Sequence, residues 1–114
     1  MRLMSFAATT PQMRDRSKTV TRRLGWKHAK VGDRALAVEK ARGVRREDRV
    51  ELGVIEFTGV RREHLEEMPR DDVAREGFPG KSIAWFVGMF CRLNRCNSAN
   101  VVTRIAFRFV EGTS

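Results

Sequence analysis

Apolar positions along the chain fall in short runs separated by basic and turn-forming residues. Leu3 to Ala7 is an apolar run suited to an opening strand. Thr10-Pro11 supplies an N-cap with proline at the first helical position, which predicts a short helix from Pro11 to about Arg16. Lys18 to Leu24, with β-branched Thr19, Val20 and Thr21, reads as a turn that becomes extended and breaks at Gly25-Trp26. Val31-Gly32-Asp33 marks a tight turn before an apolar strand from Arg34 to Glu39. The charged stretch from Ala41 to Arg49, containing Gly43, reads as a hairpin loop leading to a strand over Val50 to Val60. There Leu52, Val54, Glu56 and Thr58 alternate against Glu51, Gly53, Ile55 and Phe57, leaving both faces partly apolar, as in a closed or covered sheet.

Arg62 to Glu76 is polar and helix-compatible but interrupted by Pro69; Asp71 and Asp72 favour a new helix start there and Gly77 its end. Ser82 can cap a helix in which Ile83, Phe86, Val87 and Phe90 recur at i, i+3, i+4, i+7. That spacing makes Phe86, Phe90 and Trp85 core or interface residues before base-stacking platforms. Val101, Thr103, Ile105, Phe107 and Phe109 alternate with Val102, Arg104, Ala106, Arg108 and Val110, a strand of period two that puts Arg104 and Arg108 on one face. No repeat, low-complexity tract or linker divides the chain, so residues 1–114 read as one α+β domain: a small barrel with short flanking helices.

Composition sharpens this picture. With 41% hydrophobic residues, 114 positions suffice for one modest core and not for two. The 23 basic and 14 acidic side chains leave a net charge of +9, which favours a polyanionic partner, nucleic acid before an anionic membrane surface. The predominance of arginine over lysine suits bidentate phosphate recognition and equally a GC-rich coding genome. No run of about 18 apolar residues is present to span a membrane. Met1 to Ala8 lacks a signal-peptide pattern, so a cytoplasmic setting is expected. In that setting Cys91 and Cys96 are expected to stay reduced. His28 and His64 are too isolated to join them as zinc ligands; no metal and no cofactor is expected.

The densest chemistry lies in Arg14-Asp15-Arg16-Ser17-Lys18-Thr19-Val20-Thr21-Arg22-Arg23. Arginine forks, a lysine of adjustable pKa and threonine hydroxyls together suit a nucleotide, while a basic run is equally often a solvated face. As an anion site the segment offers Arg14, Arg16, Lys18, Arg22 and Arg23 to a nucleic acid. Trp26, in a loop rather than on an apolar helix face, is the candidate for base stacking.

Phe6, Gln12, Lys18-Thr19-Val20-Thr21-Arg22-Arg23 and Val31-Gly32-Asp33, in that order, resemble the ASCH domain family. The likeness continues through Asp72-Val73-Ala74-Arg75-Glu76-Gly77-Phe78, the aromatic helix and the closing strand. The resemblance implies a PUA-like β-barrel and an association with RNA binding and nucleotide metabolism. One branch of the family comprises small amidohydrolases that deacetylate N(4)-acetylcytidine with a lysine, a threonine three residues later and a glutamate beyond the central strands. Lys18, Thr21 and Glu76 match those positions. Under that resemblance Thr21 is the nucleophile, Lys18 its base and Glu76 an acid or water-positioning group. The rival roles are a strand-pairing threonine, a phosphate-holding lysine and a glutamate that neutralises arginines. Neighbours along a strand alternate faces, so Lys18 and Thr21 share one only if a turn or bulge intervenes.

Arg42, Arg45, Arg46, Arg49, Arg61 and Arg62 add more positive charge than a free nucleoside needs, which a polymer would use better. The leading expectation is therefore a nucleic-acid-binding domain, RNA ahead of DNA, whose cleft joins Lys18 to Arg23 with Glu76. Amidohydrolysis of an acylated cytidine is the alternative. Ribonuclease activity comes third, because neither histidine lies near the motif in sequence.

Overall fold

A computed structural model describes residues 1–111. Strand β1 (Leu3–Ser5) is followed by a 3₁₀ turn, Ala7–Thr9, and helix α1 (Thr10–Arg14). Then come β2 (Val20–Arg23), β3 (Arg34–Val38) and β4 (Glu51–His64). Helix α2 (Asp72–Arg75), helix α3 (Ile83–Asn94) and β5 (Val101–Phe109) complete the chain. The five strands form one sheet in the order β1-β3-β4-β5-β2, curled into a half-barrel. The expected barrel is thus open: β1 and β2 are its two edges. Only β1 and β3 run parallel; the other three pairings are antiparallel. Residues 6–19 connect the two edges, and Met13 of α1 is wholly buried with Met4, Phe6 and Ile105, so this connection fills the open side of the sheet.

Two local expectations shift. Thr10 is not the cap of α1, because the preceding turn moves that position to Thr9; the Thr10 hydroxyl donates to the Phe6 carbonyl at 2.9 Å instead. The polar stretch beginning at Arg62 is not helical at its start, since β4 continues to His64 and only α2 and a 3₁₀ turn at Leu65–Glu67 follow. The cross-strand ladder explains the extension. Arg61, Arg62, Glu63 and His64 pair with Arg104, Thr103, Val102 and Val101, and Arg62 Nη1 donates to Thr103 Oγ1 at 2.7 Å. A bulge between Phe57 and Gly59 resets the register and bends β4 between its two pairing regions.

The single core expected from composition is two clusters. One, inside the curl, contains Met4, Phe6, Met13, Ile55, Phe57, Ile105 and Phe107. The other packs Leu65, Met68, Val73 and Val102 against Phe86 and Phe90 of α3. Helix α3 forms as its periodicity predicts, with the Ser82 hydroxyl accepting from the Trp85 amide at 3.0 Å. Along β5 the clusters are separated by Thr103 and Arg104, and along β4 by the polar run Arg61 to His64. That gap holds the candidate site.

Helix α2 ends at Arg75 with Glu76 as its C-cap, and the chain turns through Gly77 at φ +103°. A Cβ there would sit 2.9 Å from Gln12 Cγ. Gly77→Ala is expected to destabilise the fold by about 1–3 kcal/mol, the cost of forcing a side chain into a sparsely populated backbone region. A lower urea midpoint at unchanged m-value is the expected result, and an unaltered midpoint would show that this turn carries no strain.

Candidate functional site

Lys18 precedes β2 in an irregular segment whose backbone is tied to neighbouring elements: its amide donates to the Gln12 carbonyl and that of Thr19 to the Arg75 carbonyl. Because the strand begins only at Val20, Lys18 escapes the alternation that would separate it from Thr21, and both side chains line one cleft. The break in alternation between them is an irregular stretch at Lys18 and Thr19 rather than a turn or bulge.

Lys18 Nζ donates to two acceptors on one residue, the Glu76 backbone carbonyl at 2.8 Å and Glu76 Oε1 at 2.7 Å. The Gly77 turn allows Glu76 to present both. Glu76 Oε2 accepts from Arg22 Nη1 at 3.0 Å. Arg22 Nη2 donates to Glu63 Oε1 at 2.9 Å and to Asp72 Oδ2. Asp72 also accepts from Arg104 Nε at 2.7 Å, Arg104 Nη2 at 3.1 Å and Arg75 Nη1 at 2.9 Å. The Arg22 and Asp72 side chains have no exposed surface at all. Helix α2 makes this arrangement possible: Asp72 and Glu76 are four residues apart, so one helical turn aims both carboxylates at Arg22.

The environment moves the acid–base properties of these groups. Burial pulls the Lys18 pKa below the ordinary lysine value; Glu76 opposes that shift, while Arg23 and Arg22 reinforce it. Burial also lowers Arg23, to about 10, with Glu76 in partial opposition. For Arg22 burial works against the charge, but Glu76 and Asp72 outweigh it and raise the pKa. Burial likewise penalises the Asp72 carboxylate, yet hydrogen bonds from Arg104, Arg22 and Arg75 hold its pKa well below the usual range.

The cleft has a volume of about 570 Å³, within the range of roughly 300–1,000 Å³ typical of small-molecule sites. Phe78, Phe86, Met89 and Phe90 supply an apolar wall; Lys18, Thr21, Arg22, Arg23 and Glu76 supply the polar one. Thr21 Oγ1 accepts from Arg23 Nε at 3.1 Å, and the Arg23 guanidinium lies 4.6 Å from the Phe6 ring centroid. Two directions of Nζ in Lys18 are fixed by Glu76. The third has no protein partner among the described residues, so it carries a proton in the ammonium form and a lone pair in the amine.

The structure brings together Lys18, Thr21, Arg22, Arg23 and Glu76, and leaves three expected residues elsewhere. Arg14 is exposed and lies 3.6 Å from Glu39; Arg16 stacks on Phe109 at 3.5 Å and donates to the Met13 carbonyl. Trp26 is not a cleft residue. Its ring packs edge-on against Phe57, and the Arg2 guanidinium lies 3.8 Å from its centroid. Arg22 reaches the cleft but is taken up by three carboxylates. Glu76 has both oxygens engaged, Oε1 by Lys18 and Oε2 by Arg22. The sequence reading missed Asp72 as the partner of Arg22 and Arg104, although its i, i+4 spacing from Glu76 signals a shared face. It also missed Phe86 and Phe90 as cleft walls. Neither His28 nor His64 lines the cleft, and Cys91 and Cys96 are free thiols 3.8 Å apart at the end of α3.

No family model and no curated protein sequence matches this chain. Its fold is similar to the crystal structure of an ASCH domain from Lactobacillus crispatus JV V101, with a TM-score of 0.67, 14% identity, and 95% of this chain covering 78% of that one. It is also similar to a protein from Enterococcus faecalis V583 carrying the family designation DUF984, with a TM-score of 0.71, 11% identity, and 96% of this chain covering 79% of that one. The fold is ASCH-like. Among the described residues, no helix is long and apolar enough to cross a membrane.

Asp72→Asn leaves buried Arg22 and half-buried Arg104 without their shared counter-charge and is expected to cost about 3–5 kcal/mol of stability in chemical denaturation. Because the native Asp72 pKa is depressed, its contribution is fully present above the ordinary aspartate range and is lost as pH falls through the lower native value. The variant's acid unfolding should therefore lose part of the wild-type pH dependence; parallel acid profiles would refute this role.

Proposed function

We propose that this ASCH-like domain is an amidohydrolase that removes the acyl group from the exocyclic nitrogen of an acylated cytosine. One observation carries the reading: Glu76, 58 residues beyond Lys18, meets Lys18 and Thr21 in a single aromatic-walled cleft in which burial has lowered the lysine's proton affinity. A neutral Lys18 amine uses its two N–H groups on Glu76 and keeps a lone pair for a third direction. It takes the Thr21 hydroxyl proton as Oγ1 bonds to the acyl carbon. When the C–N bond breaks, the Lys18 ammonium returns that proton to the departing amine. Water then attacks the threonyl ester, releasing the carboxylic acid and restoring the hydroxyl. Arg23, already donating to Thr21 Oγ1, adds positive charge where the tetrahedral oxyanion develops. Glu76 positions Lys18 and touches the reacting atoms through it alone.

A second reading, nucleic-acid binding with RNA ahead of DNA, is supported by the net charge of +9. The structure lowers its share of the cleft's chemistry, since Arg14, Arg16 and Trp26 lie away from it and Arg22 is neutralised. Ribonuclease activity has no histidine in the cleft to support it.

Wild-type protein is expected to release acetate from N(4)-acetylcytidine, with kcat/KM rising with pH as Lys18 loses its proton, at a midpoint below that of free lysine. Thr21→Ala and Lys18→Ala should each lower kcat by roughly 100-fold or more, the usual effect of losing a nucleophile or its base. No turnover at micromolar enzyme, with salt-sensitive RNA binding intact, would reject hydrolysis in favour of the second reading.

A further inference from the structure

Four cationic side chains line the cleft: Lys18, Arg22, Arg23 and Arg42. Three are committed inside the protein. Lys18 is bound to Glu76, Arg22 to Glu76, Asp72 and Glu63, and Arg23 to Thr21 while resting on Phe6. Arg42 differs, because among the described residues its side chain makes no ion pair or hydrogen bond. It belongs to the loop between β3 and β4, is exposed, and precedes Gly43, which adopts φ +73°.

Depth along the cleft orders its chemistry. Phe86 and Phe90 are buried with Lys18, Thr21 and Glu76, whereas Arg42 is exposed at the mouth. A ligand that inserts a flat apolar ring until its exocyclic nitrogen reaches Thr21 leaves its polar remainder outward, beside a planar, permanently charged fork with nothing else to bind. A neutral ribose does not use such a charge; a phosphate does, with two parallel hydrogen bonds. Resting on the amidohydrolase reading of this cleft, we infer that the substrate carries a phosphate on its ribose, and that Arg42 is the residue selecting phosphorylated over free nucleoside. The same loop offers Arg46 and Arg49, which form no ion pair among the described residues, to a following phosphate. Both a mononucleotide and a nucleotide within RNA present this chemistry.

The test is calorimetric titration with cytidine, cytidine 5′-monophosphate, cytidine 3′-monophosphate and a three-residue cytidine RNA, using wild type, Arg42→Gln and Arg70→Gln. Arg70 is exposed and lies outside the cleft, so its substitution matches the charge change without touching the site. One of the monophosphates is expected to bind at least about tenfold tighter than cytidine, as a charge-assisted pair provides. Arg70→Gln should keep that preference and Arg42→Gln should abolish it. Further tightening by the three-residue RNA would identify the polymer as the source of the phosphate; equal affinity would identify the free nucleotide. Equal affinities for cytidine and both monophosphates, or equal loss of preference in the two variants, would overturn the inference. If N(4)-acetylcytidine is still hydrolysed, only the phosphate preference falls; absence of both hydrolysis and cytosine-ligand binding removes the amidohydrolase reading with it.

Discussion

A guanidinium with no exposed surface, facing three carboxylates from two elements, is the interaction on which the rest of this molecule depends. Arg22 comes from an edge strand, Glu63 from the end of the longest strand, and Asp72 and Glu76 from one turn of helix. Each charge would be costly to bury alone; together they satisfy one another, and the geometry that does so is narrow. The network therefore sets where α2 stands against the sheet. It also separates the two apolar clusters, which a continuous hydrophobic core would have merged.

Chemistry follows from the same constraint. The network draws both oxygens of Glu76 inward, one to Arg22 and one to Lys18, and so brings a lysine into an environment where its charge is less welcome than in water. Arg104 and Arg75 keep Asp72 firmly ionised, while burial lowers the proton affinity of Lys18, and of Arg23 beside it, next to the Thr21 hydroxyl. Under the proposed hydrolysis, a scaffold for an ion pair serves also as a scaffold for proton transfer.

Much of this was legible in the chain. The period-two run from Val101, the apolar spacing of α3 with its Ser82 cap, and the glycine after Glu76 are local signals, and local physics produced the elements they foretell. The trio of Lys18, Thr21 and Glu76 was legible only through resemblance, because their meeting spans 58 residues for the Lys18–Glu76 bond. What was not legible depended on partners. Residues 62–64 look helical until Thr103 and its neighbours are laid beside them, and Trp26 looks free until Arg2 covers it. The abundance of arginine concealed a division between those that neutralise buried acids, such as Arg22 and Arg104, and those that project unpaired, such as Arg42.

The sheet order has a consequence for assembly. Among the described residues, strand β2 precedes β3 and β4 in the chain yet pairs only with β5, which follows both. On a growing chain the segment bearing Lys18, Thr21 and Arg22 has no ladder to join until Val101 to Ala106 have emerged, although β3 and β4 can already form their hairpin. Contacts of such long sequence separation close late and slowly. The cleft thus depends on a contact of long sequence separation, and a chain truncated before β5 would leave the strand that carries its basic motif without a sheet partner.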